Sequence, residues 1–258
     1  MTGSWYNSGF DGMGAEQQRL ESQYGPPRFW LPIGQSREIV FMDDEPFCIH
    51  EHNPYMGGNY QNWITCVQGI HDDAVCCQKL EPKSRYYIGY LTICDTSVYT
   101  DKKGNEHQFE MKMIGGKLPT MKAWKRKKDD RATLIGQLYK VSRDSDKAPS
   151  CGGEFEFNRS VDMEKLFTLA CYKGKKLSDL FTEAEANAEK MVSLQKTFQL
   201  RLVDGKLPRV LPAFNYVELL KPLTPKELRI KLAGAEPRSS TGKGKTAGAG
   251  AESDDVPF

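Results

Sequence analysis

Seven cations crowd one short stretch: Lys117, Lys122, Lys125, Arg126, Lys127, Lys128 and Arg131. Only Asp129 and Asp130 oppose them, which leaves +5 in a chain whose total is +2. Lysine and arginine attract phosphates and release condensed counterions. Trp124 sits within the run and offers a ring on which an unpaired base can stack. The competing account is a solvated basic helix whose indole faces the core.

Aromatic residues form a second group. Tyr86, Tyr87, Tyr90, Tyr99 and Phe109 lie close in sequence to Arg85, Lys102, Lys103 and Lys112. Rings on a sheet face flanked by cations make stacking platforms for single strands. Strand alternation sets Tyr87 opposite to Tyr86 and Tyr90, so one face cannot use all three. Most strand aromatics in any protein are core, which leaves one or two of these for contact.

A third group is the end of the chain: Asp254, Asp255, Val256, Pro257 and Phe258. An apolar pocket with a basic rim could take the terminal ring and pair with its carboxylate. A fourth is the cluster Cys48, His50, His52, Cys66, His71, Cys76 and Cys77. Zinc takes four Cys or His ligands, often with C-x₂-C spacing. That spacing is absent, because Cys76 and Cys77 are adjacent. A set such as His52, Cys66, His71 and Cys77 is one way to assemble four ligands. The other reading is reduced core cysteines with solvent-facing histidines, and no metal or cofactor is assigned.

Enzyme signatures are missing. The chain has no GxxxxGK[ST] loop, no GxSxG elbow and no HExxH pair. Asp43, Asp44 and Glu45 could hold a metal in a nuclease, although a surface turn before Pro46 is the better account of them.

The elements that must position these groups are mainly strands. Arg37–Met42, Tyr60–Gln68, Arg85–Tyr99, Ala132–Val141 and Glu154–Phe157 are β-branched, aromatic or alternating. Asp101–Asn105 supplies a turn. After it Phe109, Met111 and Met113 alternate with Gln108, Glu110 and Lys112, as in a strand with one wet face. Pro119 opens a helical or loop segment through Asp130. Apolar residues at spacings of three and four predict a helix near 177–196, with Thr182 and Glu185 as a candidate cap. Thr224-Pro225-Lys226-Glu227 predicts a cleaner helix start, with the helix running through 225–233.

Residues 1–27 read as a flexible arm, 28–234 as one domain, and 235–258 as a disordered linker ending in the acidic motif. The linker holds too little apolar surface to offset the entropy of ordering. No stretch is apolar enough to span a membrane, and no secretory signal opens the chain. An odd count of seven cysteines then favours reduced thiols in a cytoplasm.

Several segments resemble the single-stranded DNA-binding proteins of tailed bacteriophages. They are Arg28-Phe29-Trp30-Leu31-Pro32, Glu51-His52-Asn53, Asn62-Trp63-Ile64-Thr65-Cys66, Tyr87-Ile88-Gly89-Tyr90 and Asp101-Lys102-Lys103-Gly104-Asn105. The likeness covers roughly residues 28–160 and, separately, the last six. The terminal motif is similar to the Asp-Asp-Ile-Pro-Phe end of bacterial single-strand-binding proteins, with Val256 in place of isoleucine.

The resemblance implies an α+β, mainly β chain: an OB-fold-like five-stranded barrel with added helices. It implies non-catalytic coating of single-stranded DNA during phage replication, recombination and repair in the host cytoplasm. Replication and recombination proteins would be recruited through the tail. Some relatives carry a zinc motif of His, Cys and a C-x₂-C pair; His52 and Cys66 match it, and the C-x₂-C pair does not. The expected DNA contacts are Arg85, Tyr86, Lys122, Trp124, Lys125, Arg126 and Lys127. A nuclease, a structural adaptor and an RNA or duplex binder are the alternatives.

Overall fold

The computed structural model describes residues 26–56, 59–60, 63–80, 85–100 and 104–233. The expected arm and the C-terminal tail lie outside the described residues, apart from Pro26 and Pro27. The strands are β1 (Gln35–Phe41), β2 (Phe47–His52), β3 (Tyr55–Met56), β4 (Asn59–Tyr60), β5 (Ile64–Thr65), β6 (Arg85–Asp95) and β7 (Tyr99–Thr100). They continue as β8 (Glu106–His107), β9 (Glu110–Gly116), β10 (Gln137–Arg143), β11 (Glu154–Ser160), β12 (Cys171–Tyr172) and β13 (Lys175–Lys176). The helices are α1 (Val75–Lys79), α2 (Leu118–Arg131), α3 (Met163–Leu169), α4 (Leu177–Glu185), α5 (Ala188–Thr197), α6 (Tyr216–Leu219) and α7 (Pro225–Lys231).

The main sheet runs β11-β10-β1-β6-β9-β12-β13, and β2 adds to β6 and carries β5. The chain is therefore mixed α+β with strands predominating, and the sheet is not closed. The open path shows no barrel among the described residues. Long β6 organises this arrangement. Ile93–Asp95 pair with β1, Arg85–Tyr90 pair with β2, and the opposite edge pairs antiparallel with β9.

The central strands are covered on both sides, so they read as continuous apolar runs rather than alternating ones. One side buries Ile39, Phe41, Leu91, Ile93, Ile114, Tyr139 and Val141 with Trp124 from α2. The other buries Val40, Met42, Tyr90, Met111 and Met113 beneath Phe167, Phe181, Phe198 and Phe214.

Three expectations need correcting here. Glu110 and Lys112 are not on a wet face; both are buried. The Lys112 ammonium donates to Asp95 at 2.8 Å and Arg37 donates to the same oxygen at 3.0 Å, while Glu110 accepts the Gly174 N–H at 2.9 Å. Pairing is what permits the burial. The single helix expected over 177–196 is two, because Asn187 accepts the N–H groups of Glu189 and Lys190 and starts α5 anew. Thr182 lies inside α4 and caps nothing, its hydroxyl donating to the Ser178 carbonyl. By contrast Thr224 and Glu227 form the expected capping box of α7.

Trp124 is the third correction. It is 1% exposed and packs edge-on to Phe41 and Phe155. Gly116 makes room for it: a Cβ there would lie 2.6 Å from the Trp124 ring. The indole is the wedge that seats α2 on the sheet, and no base can reach it. Trp124→Ala should lower stability by about 3–5 kcal/mol in urea unfolding. Trp124→Phe, under conditions where it stays folded, should leave nucleic-acid affinity unchanged. A selective affinity loss in the Phe variant would return Trp124 to the interface.

Candidate nucleic-acid interface and metal centre

Antiparallel pairing sets Glu51 opposite Tyr86 and His52 opposite Arg85. Successive strand residues point to opposite faces. Two sites are therefore built back to back on the same piece of ladder.

On the first face, Tyr90 is fully buried and donates to the Glu51 carboxylate, while Arg28 donates to the Tyr90 oxygen at 2.5 Å. Burial pushes the Glu51 carboxyl up and the neighbouring Arg28 only partly offsets it. Arg28 also lies over Trp63, its guanidinium carbon 5.7 Å from the ring centre. Trp63 meets Tyr86 edge-on at 5.5 Å, and the Lys117 ammonium sits 4.4 Å above the Tyr86 ring. Trp63 and Tyr86 are both half-buried. The result is a ring pair with a cation on either side, held by a buried hydrogen-bonded base.

Lys117 is also the residue that opens α2. The helix turns Thr120 and Trp124 inward. Lys122, Lys125 and Arg126 are exposed and Lys127 is half-buried. Lys125 pairs with Asp129 at 2.7 Å, an exposed contact of small energetic weight. Lys128 pairs with Glu45, and Arg131 lies 3.6 Å over Phe157. The basic run thus splits: Lys128 and Arg131 brace the helix, whereas Lys122, Arg126 and Lys127 have no ion pair among the described residues.

On the second face, His52, Cys66, Cys76 and Cys77 bring their ligand atoms within 4.8 Å of one another. The Cys66 and Cys77 sulfurs are 3.5 Å apart, Cys76 is 4.0 Å from each, and Cys77 is 3.5 Å from His52 Nε2. Tetrahedral zinc with sulfur at about 2.3 Å requires sulfurs separated by about 3.8 Å. The four groups fit such an ion.

The surroundings fit too. Burial, with the charges of Arg85 and His50, holds the His52 imidazole down to about 4, so it is neutral at pH 7, the form that ligates a metal. The Val67 N–H donates to Cys76 at 3.4 Å and Arg85 Nε donates to Cys66 at 3.3 Å. Burial would raise Cys66, but the Gln68 N–H and Arg85 outweigh it and leave the thiol below its ordinary value. Burial and the adjacent thiols push Cys77 up to about 12. Such a crowd ionises together only around a cation.

Cys76 replaces His71 in the expected set. His71 stands in a turn outside the cluster, bridged through its backbone to Gln68. The signal overlooked was the adjacent pair: Cys76 and Cys77 open a helix whose first turn aims both sulfurs inward, so no C-x₂-C is needed. Arg85, expected on DNA, is engaged with sulfur.

The acidic triplet has structural partners. Asp44 accepts from the N–H of Leu134 at 2.6 Å and from the Thr133 hydroxyl at 2.8 Å. Asp43 accepts from the Thr92 N–H at 2.5 Å, and Glu45 pairs with Lys128. Asp254, Asp255, Val256, Pro257 and Phe258 lie outside the described residues. No helix among the described residues is long and apolar enough to cross a membrane. No family model, curated protein or solved structure matches the chain.

Two outcomes follow from this geometry. Protein purified with zinc under reducing conditions should hold one ion per chain by mass spectrometry, and cobalt should give thiolate charge-transfer absorption. Cys76→Ser should surrender the ion to a chelator that the parent resists, and His71→Ala should not; the reverse order would overturn the ligand set. Separately, burial pushes the Asp43 carboxyl up to about 6. A raised carboxyl favours the folded state at acid pH, and that contribution is lost as pH rises through about 6. Asp43→Asn should therefore gain on the parent between about pH 4 and pH 7.5 in chemical unfolding; a constant difference would show that Asp43 titrates normally.

Proposed function

We propose that this chain binds single-stranded DNA without sequence preference and without altering it. The observation that carries the reading is the Lys117 ammonium over Tyr86, which joins the Trp63–Tyr86 ring pair to the start of the basic helix. Cations would follow the phosphates, and bases would stack against the half-buried rings. Lys122, Arg126 and Lys127 are the phosphate contacts, with Lys125 as a fourth once it leaves Asp129. Tyr86 and Trp63 are the stacking residues.

The strands that carry the rings form a curved, OB-like platform in this proposal, and a zinc-class ion on the reverse side stiffens it. When bound, the ion supplies structural cross-linking, with His52, Cys66, Cys76 and Cys77 as its ligands. The bonds made by Asp43 and Asp44 support a non-catalytic role. In this reading the protein serves phage DNA replication, recombination and repair. Its terminal Asp254–Phe258 motif recruits partner proteins.

The test is affinity for a thirty-base thymidine oligomer against rising salt, with magnesium present and absent. Affinity should fall steeply with salt, at about 0.7 log units per log unit of salt for each phosphate contacted. The pair Lys122→Ala and Arg126→Ala should reduce that slope by the equivalent of about two contacts. Tyr86→Ala should cost about 1–3 kcal/mol of binding with little change in slope. The oligomer should remain intact throughout. No binding in dilute buffer, or magnesium-dependent cleavage, would contradict the proposal.

A further inference from the structure

Helix α7 has seven residues, too few to persist on its own in water. Its capping box sets where it starts but supplies no core. Stability must come from what its apolar side touches. Leu228 is 0% exposed and Leu232 is 1% exposed. Both are buried in a small cluster with Ile64, Cys66, Val67, Val75, Cys76 and Leu80. Two of those six neighbours are candidate metal ligands. This cluster is separate from the two that cover the sheet.

The surface that receives α7 is itself weakly built. Strand β5 has two residues and α1 has five. Short elements with so few backbone bonds need a staple to hold a defined shape. A four-ligand ion would tie β2 through His52, the segment after β5 through Cys66, and α1 through Cys76 and Cys77. Other ties are few. Thr65 donates to the Leu220 carbonyl at 2.8 Å, and Arg229 pairs with Asp73 at the exposed surface. An exposed ion pair contributes little.

We infer that the metal centre is the anchor of α7: the helix is docked when the ion is bound and released when it is lost. The inference rests on the metal reading above. Its consequence is positional. Helix α7 is the last described element before the segment that ends in Asp254–Phe258, while His52 and Arg85 lie on the ladder whose other face carries Tyr86. The metal module would then be the joint between the strand-binding sheet and the C-terminal segment. Because coupling is reciprocal, undocking α7 must weaken metal binding by the same factor that metal strengthens docking.

The experiment uses the full chain with its zinc content measured, then stripped by chelator under reductant, then reloaded. Amide hydrogen exchange is followed in all three states. Residues 225–232 should exchange at least tenfold faster in the stripped protein, together with residues 64–80. Strands β1, β6, β9 and β10 should be unchanged, and reloading should restore protection. Leu228→Ala should lower zinc affinity about tenfold against a competing chelator, although Leu228 is no ligand. Ile230→Ala, on the exposed side of the same helix at 70% exposure, should alter neither readout.

Unchanged exchange at 225–232 while 64–80 accelerates would overturn the anchoring and leave the metal site standing. Acceleration throughout the sheet would also overturn it, since the effect would then be global unfolding. A chain that takes up no zinc, and whose exchange does not respond to it, would remove the metal reading and the anchoring together.

Discussion

Glu51 and His52 are consecutive residues on β2, and the pleat sends them to opposite sides of the sheet. Glu51 closes onto Tyr90 and Arg28, and through them onto Trp63. His52 closes onto three sulfurs. The register with β6 fixes both at once, because the same pairing sets Tyr86 and Arg85 opposite them. A slip by one residue would exchange the faces and put a carboxylate among the thiols. The ring pair and the thiol cluster both depend on that ladder keeping its register.

Burial on both sides is what keeps it. Tyr90 and Ile88 lock into one core and Leu91 and Ile93 into the other, so β6 cannot shift without exposing both sets. Helix α2 is held by Trp124 over Gly116, with Lys128 and Arg131 bracing it, which leaves Lys122 and Arg126 exposed and without an ion pair among the described residues. The division of labour is physical: the apolar side chains and the buried charged pairs set geometry, and Lys122 and Arg126 on the outer side of α2 remain available for a ligand. Removing either partner of the buried pairs at Asp95 and Glu51 would leave an uncompensated charge in the interior.

Much of this was legible in the residues, for reasons that differ from element to element. The capping box at Thr224 and the β6–β9 pair are local signals, and local signals survive folding. The break at Asn187 was hidden because its side chain outcompetes a hydrophobic pattern that runs on through it. Glu110 and Lys112 looked solvent-facing because alternation reports which residues share a face, not whether that face is covered. Trp124 looked like a base-stacking residue because charge density says nothing about which way a helix is turned. The metal group was half visible: composition drew attention to the thiols, but choosing Cys76 over His71 needs three-dimensional proximity. Trp63 and Lys117 are contributors that spacing alone could not pair with Tyr86, since they meet only through the fold.

The account's central claim is that unpaired bases lie against the Trp63–Tyr86 pair. Photo-cross-linking of a bromodeoxyuridine oligomer to the zinc-loaded protein, followed by peptide mass spectrometry, tests it most directly. Adducts on Trp63 and Tyr86 that disappear at high salt are the predicted result. Efficient cross-linking confined to residues distant from both rings would contradict it.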